Sequence, residues 1–229
     1  TMQRVIVTLL FSIVCTLASA STPASLEPIE KESQQTALFR EILDRLATRH
    51  YHGQKINDEL SERYLTTYIE MLDPLKSYFL QADINEFSQW QTKLDDLARR
   101  GDVSPGFIIF NRLRSTAINQ LEENIALLES DYKFDFEADE TIVLDGDKRD
   151  WHQSTEQGSD YWRKRINDSM IRLLLNDKDP EKARELLVKR FTNQKKQMEQ
   201  RDSKDVFQLY VNALASLYAP HTASHSPPA

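Results

Sequence analysis

The sequence predicts a mainly α fold, a single multi-helix domain of about seven helices with one extended or small β segment around residues 131–150. Three observations carry that expectation. Only five glycines occur among 229 residues, too few for the φ > 0 turns on which sandwiches, barrels and phosphate-cradling loops depend. Apolar residues recur at three- and four-residue steps along most of the chain, which stacks them on one face of a helix. Helix punctuation stands between these runs: Asn57 before Asp58-Glu59, then Asp73-Pro74, Ser104-Pro105 and Asp179-Pro180. Hydrophobic residues make up 40% of the chain, which suffices for one core of this size.

Residues 1–20 stand apart. Arg4, the apolar run Val5 to Leu17 and the small-x-small triplet Ala18-Ser19-Ala20 form the pattern of a secretory signal peptide, cleaved between Ala20 and Ser21. The run is shorter than the roughly 20 apolar residues of a membrane span. Val14 before Cys15 does not suit lipoprotein processing. Cleavage removes the single cysteine, leaving neither a disulfide nor a thiol nucleophile. Residues 21–33, with Pro23 and Pro28, read as a linker.

The helical domain is expected over residues 34–219. Its first helix, about Gln34 to Tyr51, carries Leu38, Ile42 and Leu46 on one face with Phe39 and Leu43 beside it, and Gly53 ends it. The next, capped by Asn57, aligns Leu60, Tyr64, Tyr68 and Met71 and stops at Pro74, which pushes Asp73 out of the helical region. Asp83 opens a third, with Glu86 as a capping-box-like partner and Ile84, Phe87, Trp90, Leu94 and Leu97 as its stripe up to Gly101. Ser104 and Pro105 start the longest helix, whose face is Phe107, Phe110, Arg114, Ile118, Leu121, Ile125 and Leu128. From Asp131 to Asp150 the period changes: Tyr132, Phe134 and Phe136 alternate with charges, and Thr141-Ile142-Val143-Leu144 runs into Asp145-Gly146. An extended segment, with a strand or small hairpin, is expected to lie across the helices there. Three helices follow, marked by Trp162, Ile166, Met170 and Leu173, by Ala183, Leu187, Phe191 and Met198, and by Val206, Tyr210, Ala213, Leu214 and Leu217.

One stretch carries more than periodicity. Asp73-Pro74-Leu75-Lys76-Ser77-Tyr78-Phe79-Leu80 is preceded by His50-Tyr51 and Leu60-Ser61 and followed by Asp83-Ile84, Phe87 and, much later, Asp205-Val206-Phe207. In order and spacing this resembles the N-terminal helical domain of tail-specific proteases, the carboxy-terminal processing peptidases of the bacterial periplasm, from about Glu41 to Leu217. The resemblance implies a helical domain followed by a PDZ domain and a catalytic domain with a serine and a lysine. This chain matches only the first. Its last residues, 220–229, keep Pro220, His221, Thr222, Ser226 and Pro227 of the family's junction, but Ala219 replaces an aspartate and Ser224-His225 replaces an aromatic pair. A truncated linker is the expectation there.

Chemistry-bearing patterns are sparse. His50 and His52 are two apart, and His221 and His225 sit among prolines, so neither pair suits a metal on a helix face. The acids Asp131, Asp135, Glu137, Asp139 and Glu140 lack the spacing and central glycine of a calcium loop. Arg184, Lys189, Arg190, Lys195, Lys196 and Arg201 fit a solvated outer face. A formal net charge of -7 disfavours nucleic acid as a partner. Ser19 lies in the signal pattern, and Ser33, Ser61, Ser77 and Ser203 read as caps or exposed positions. No catalytic, cofactor or metal residue is therefore expected, and Asp73, Pro74, Lys76, Tyr78 and Phe79 are expected to form a structural corner. The function anticipated is that of a non-catalytic domain of a periplasmic serine protease, shaping the substrate chamber. Its partners would be the missing PDZ and protease domains, protein substrates or a periplasmic adaptor. The alternative is a free-standing secreted helical protein-binding module.

Overall fold

The computed structural model describes residues 26–49, 56–176 and 179–218. Among them eight α-helices succeed one another: α1 Ser33–Arg49, α2 Asp58–Leu72, α3 Gln81–Phe87, α4 Leu94–Arg100, α5 Ser104–Glu129, α6 Thr155–Leu174, α7 Pro180–Glu199 and α8 Ser203–Ser216. The mainly α class holds. The signal pattern with Ala20 and Ser21, the histidines at 50 and 52, and the junction from 219 onward all lie outside the described residues.

The 26 residues of α5 make a rod about 39 Å long at 1.5 Å per residue, and two clusters of apolar side chains form along it. The first gathers Phe39 and Leu43 of α1, Leu60, Tyr64 and Tyr68 of α2, Phe107 and Phe110 of α5, and Val206, Tyr210 and Leu214 of α8. The second joins Leu121 and Leu128 of α5 to Trp162, Ile166 and Met170 of α6 and Leu187 and Phe191 of α7. Tyr78, in the loop after α2, packs against both. Buried phenols fasten the first cluster: Tyr64 donates to the Tyr210 carbonyl at 2.9 Å and Tyr68 to that of Gly106 at 2.9 Å. Burial raises the pKa of both well above the usual value, so they remain donors.

Arg114, on the predicted apolar stripe of α5, is indeed buried. Its guanidinium caps α7, donating to the Met198 and Glu199 carbonyls at 3.2 and 3.0 Å, and reaches the Glu27 carbonyl at 2.8 Å. The Met198 and Glu199 carbonyls are unpaired acceptors at the end of α7, where a cation is favoured. Residues 26–32, from the expected linker, thus lie along α5, and Asn111 pairs with both the N–H and the carbonyl of Ile29 at 2.9 Å. These hydrogen bonds order the segment together with Ile29, which packs against the first cluster.

Several local expectations need correction. The third predicted helix is broken into α3, a 3-10 turn at Ser88–Trp90, and α4. The orphan N–H of Asp95 at the start of α4 donates to Ser61 Oγ of α2 at 2.8 Å, and Ser61 donates back to Asp95 Oδ1 at 2.8 Å. A contact distant in sequence sets that break. Asp83 is the third residue of α3, not its cap: it accepts from the Leu80 N–H at 2.9 Å and pairs with Arg112, which also takes Glu86. Ser104 lies inside α5 and donates to Asp102, so Asp102 supplies the capping carboxylate. Leu38 and Met71 face outward, because Phe39 with Leu43, and Tyr68 with Ile69, turn inward instead. No strand forms among the described residues; Thr141 to Leu144 runs unpaired, and the isolated parallel bridge joins Leu80 to His152.

Candidate functional site

The expected corner is built around the buried Asp73 carboxylate. After α2 the Asp73 N–H still donates to the Ile69 carbonyl, and Pro74 prevents the next turn. The chain then doubles back through Lys76, whose φ is 49°, an uncommon left-handed conformation for a residue with a side chain. This brings three successive amides onto one side chain: Ser77 N–H donates to Asp73 Oδ1 at 2.8 Å, and Tyr78 and Phe79 N–H donate to Oδ2 at 2.8 and 3.0 Å. Asp73 is 2% exposed. Three backbone donors thus bond its two oxygens, which compensates a charge that would otherwise be costly to bury.

Residues 146–152 clasp the corner from outside. Gly146 is required where the clasp crosses, since a Cβ there would lie 2.0 Å from the Pro74 carbonyl oxygen. Lys76 Nζ donates to the Arg149 carbonyl at 2.7 Å, Arg149 donates to that of Leu75 at 3.0 Å, and Gln81 N–H donates to that of His152 at 2.8 Å. The Phe79 ring, fully buried, meets Phe87 and Trp151 edge-on at 5.4 and 6.1 Å. It therefore packs against α3 and the clasp. Tyr78 goes the other way, onto Trp162 of α6 at 5.4 Å. The Trp162 indole N–H donates to the Ser77 carbonyl at 2.9 Å, and the Arg165 guanidinium lies 4.7 Å from the Trp162 ring.

The clasp residues Arg149, Trp151 and His152 were not singled out by sequence. Trp151, a large aromatic just past Asp145-Gly146, was the one available signal. Arg149 stacks on Tyr161 at 3.6 Å and reaches His152 Nε2 at 3.1 Å, so Nε2 accepts and the ring proton belongs on Nδ1. Burial, then the Arg149 charge, lower the His152 pKa, with Asp73 acting in the opposite direction. The sign follows: unfolded His152 takes up its proton near pH 6.5, whereas the folded protein resists it. That contribution to stability is complete above about pH 6.5 and is lost as pH falls from there toward the lowered folded value. Urea midpoints at pH 7.5 and 5.5 should therefore differ, the acidic one being lower, and His152→Gln should narrow the difference. An unchanged difference in the variant would assign the effect elsewhere.

A serine and a lysine do meet, at a place sequence did not indicate. Lys31 Nζ is 2.6 Å from Ser104 Oγ, but it is also 3.1 Å from Asp102 Oδ1, and Ser104 donates its proton to that same carboxylate. A general base needs a free lone pair, and this ammonium is committed to Asp102 at an exposed surface. The acids of the 131–140 segment are all exposed, and Glu140 pairs with Arg163. Among the described residues no three His, Cys, Asp or Glu side chains cluster closely enough to hold a metal ion.

Residues 42–228 match the family described as Tail specific protease N-terminal domain. The chain belongs to this family. A curated relative, the tail-specific protease of Haemophilus influenzae, is 31% identical over 204 residues, covering 89% of this chain. The chain spans only 29% of the length of that relative. The corner and its clasp lie wholly inside the family match, as does every helix from α2 to α8.

Proposed function

We propose that this chain acts as the non-catalytic helical domain of an exported, periplasmic tail-specific serine protease. In that role it walls the space through which protein substrates reach a PDZ and a Ser-Lys catalytic domain, and it offers surface to protein partners. The observation that supports this most is coverage: a relative named as a tail-specific protease devotes most of its length to residues outside the region this chain matches. The Asp73 corner fits a supporting part, since its carboxylate and the Phe79 ring are buried in the fold. The Ser104–Lys31 contact offers no free base for peptide hydrolysis.

Grafting this chain in place of the matching region of the Haemophilus influenzae protease provides the test. The hybrid should retain cleavage of a protein substrate that the same protease loses when the region is deleted, while this chain alone should give no turnover of peptides with apolar C-termini. A deletion variant as active and as selective as the parent would contradict a chamber role. Turnover by the purified chain that survives repurification would contradict a non-catalytic one.

A further inference from the structure

A cleft of about 380 Å³ opens between the Asp73 corner and the facing surfaces of α6 and α7. Its floor is apolar, formed by Leu187, Phe191 and the ring of Tyr78, with the partly exposed Leu75 at the rim. Two arginines line it. Arg165 is held in place by the Trp162 ring at 4.7 Å and donates to Ser77 Oγ at 3.2 Å, both neutral partners. Arg190, exposed on α7, makes no hydrogen bond or ion pair among the described residues. The acid that lines the cleft is Asp73, and its oxygens already accept three backbone amides. The Tyr78 phenol, its pKa raised to about 12 chiefly by burial, stays a neutral donor.

The cleft thus presents guanidinium donors above an apolar floor, with its own carboxylate spent inside the corner. An isolated guanidinium stacked on an aromatic ring is poised for bidentate recognition of a carboxylate, and the floor favours apolar atoms beside it. We propose that this cleft docks a segment of another polypeptide through a glutamate or aspartate side chain that lies between Arg165 and Arg190, with a neighbouring apolar side chain on Leu187 and Phe191. Charge complementarity selects the occupant: two guanidiniums line the cleft against one carboxylate already bonded within the corner, so an acidic segment is attracted here although the chain as a whole carries a net charge of -7. The proposal rests on the domain offering surface to protein partners. Its test uses this chain alone, so its failure is separable from failure of the hybrid protease.

The probe is the doubly blocked peptide acetyl-Leu-Leu-Glu-Phe-amide, titrated into the isotopically labelled chain while the arginine Nε–H and Trp162 indole resonances are followed. The Glu peptide should shift the Arg165 and Arg190 signals, and replacing its Glu by Gln should weaken binding about tenfold or more. Arg190→Gln should weaken it similarly without moving the urea midpoint, because Arg190 supports no contact in the fold. Arg190→Glu, which leaves one cation and one anion lining the cleft, should abolish the preference for the Glu over the Gln peptide. Equal affinity for the Glu and Gln peptides would overturn the proposal, as would full binding by Arg190→Gln. So would binding restricted to a peptide with a free α-carboxylate, or displacement by equimolar inorganic phosphate, which would mark a general anion site.

Discussion

Replacing Asp73 by asparagine should cost about 2 to 4 kcal/mol, a large share of the roughly 5 to 15 kcal/mol that holds an ordinary domain. The substitution changes almost no volume, so packing is not the cause. An aspartate offers two acceptor oxygens to the amides of Ser77, Tyr78 and Phe79. Asparagine offers one, and its NH2 group must face a backbone N–H, donor against donor. Two of the three bonds also lose their charge assistance, and the Ser77 and Phe79 amides are buried where water cannot replace the acceptor. Were Asp73 a binding carboxylate with no structural work, the urea midpoint of Asp73→Asn would match that of the parent.

Phe79→Ala should cost about 3 to 5 kcal/mol. The ring is 0% exposed and wedged between Phe87 of α3 and Trp151 of the clasp, so its removal opens a cavity whose walls are themselves fixed. Phe79→Leu, which refills much of that space, should cost clearly less. The Phe79→Ala loss should appear as a lower urea midpoint with little change in slope. A midpoint equal to the parent's would mean that the corner packs differently from the arrangement described above.

The helices were legible in the sequence because their apolar periodicity is long and uninterrupted. The stripe of α5 is correct down to Arg114, a polar residue at a buried position. Asn57 and Asp179 cap helices through contacts local to the chain, and local chemistry is what sequence reading captures. What stayed hidden depends on distant partners. The break between α3 and α4 follows from Ser61, 34 residues earlier. The outward turn of Leu38 follows from Phe39 meeting Tyr210 at 5.6 Å across the first cluster. Thr141 to Leu144 has the β-branched composition of a strand, yet it pairs with no segment among the described residues, and a strand exists only by pairing.

The corner shows the same division. Pro74 announced that a helix ends, and the tail-specific protease resemblance announced that the sequence after it is specific. Neither could disclose that the Asp73 carboxylate gathers three amides, because that geometry requires the left-handed turn at Lys76. Nor could they disclose the clasp, which comes from residues more than 70 positions away. Tyr78 and Phe79, adjacent in sequence, face opposite ways and tie the α6 and α3 sides together at one loop.

Amide hydrogen exchange at Ser77, Tyr78 and Phe79 tests most directly whether this loop is a structural joint closed by Asp73. If it is, these three amides exchange as slowly as those at the centre of α2 and α5, through global unfolding, and in Asp73→Asn they lose protection together while the centre of α5 retains its own relative to the variant's stability. If the three amides of the parent exchange as fast as exposed loop amides, the carboxylate does not hold them, and the corner is a mobile contact surface.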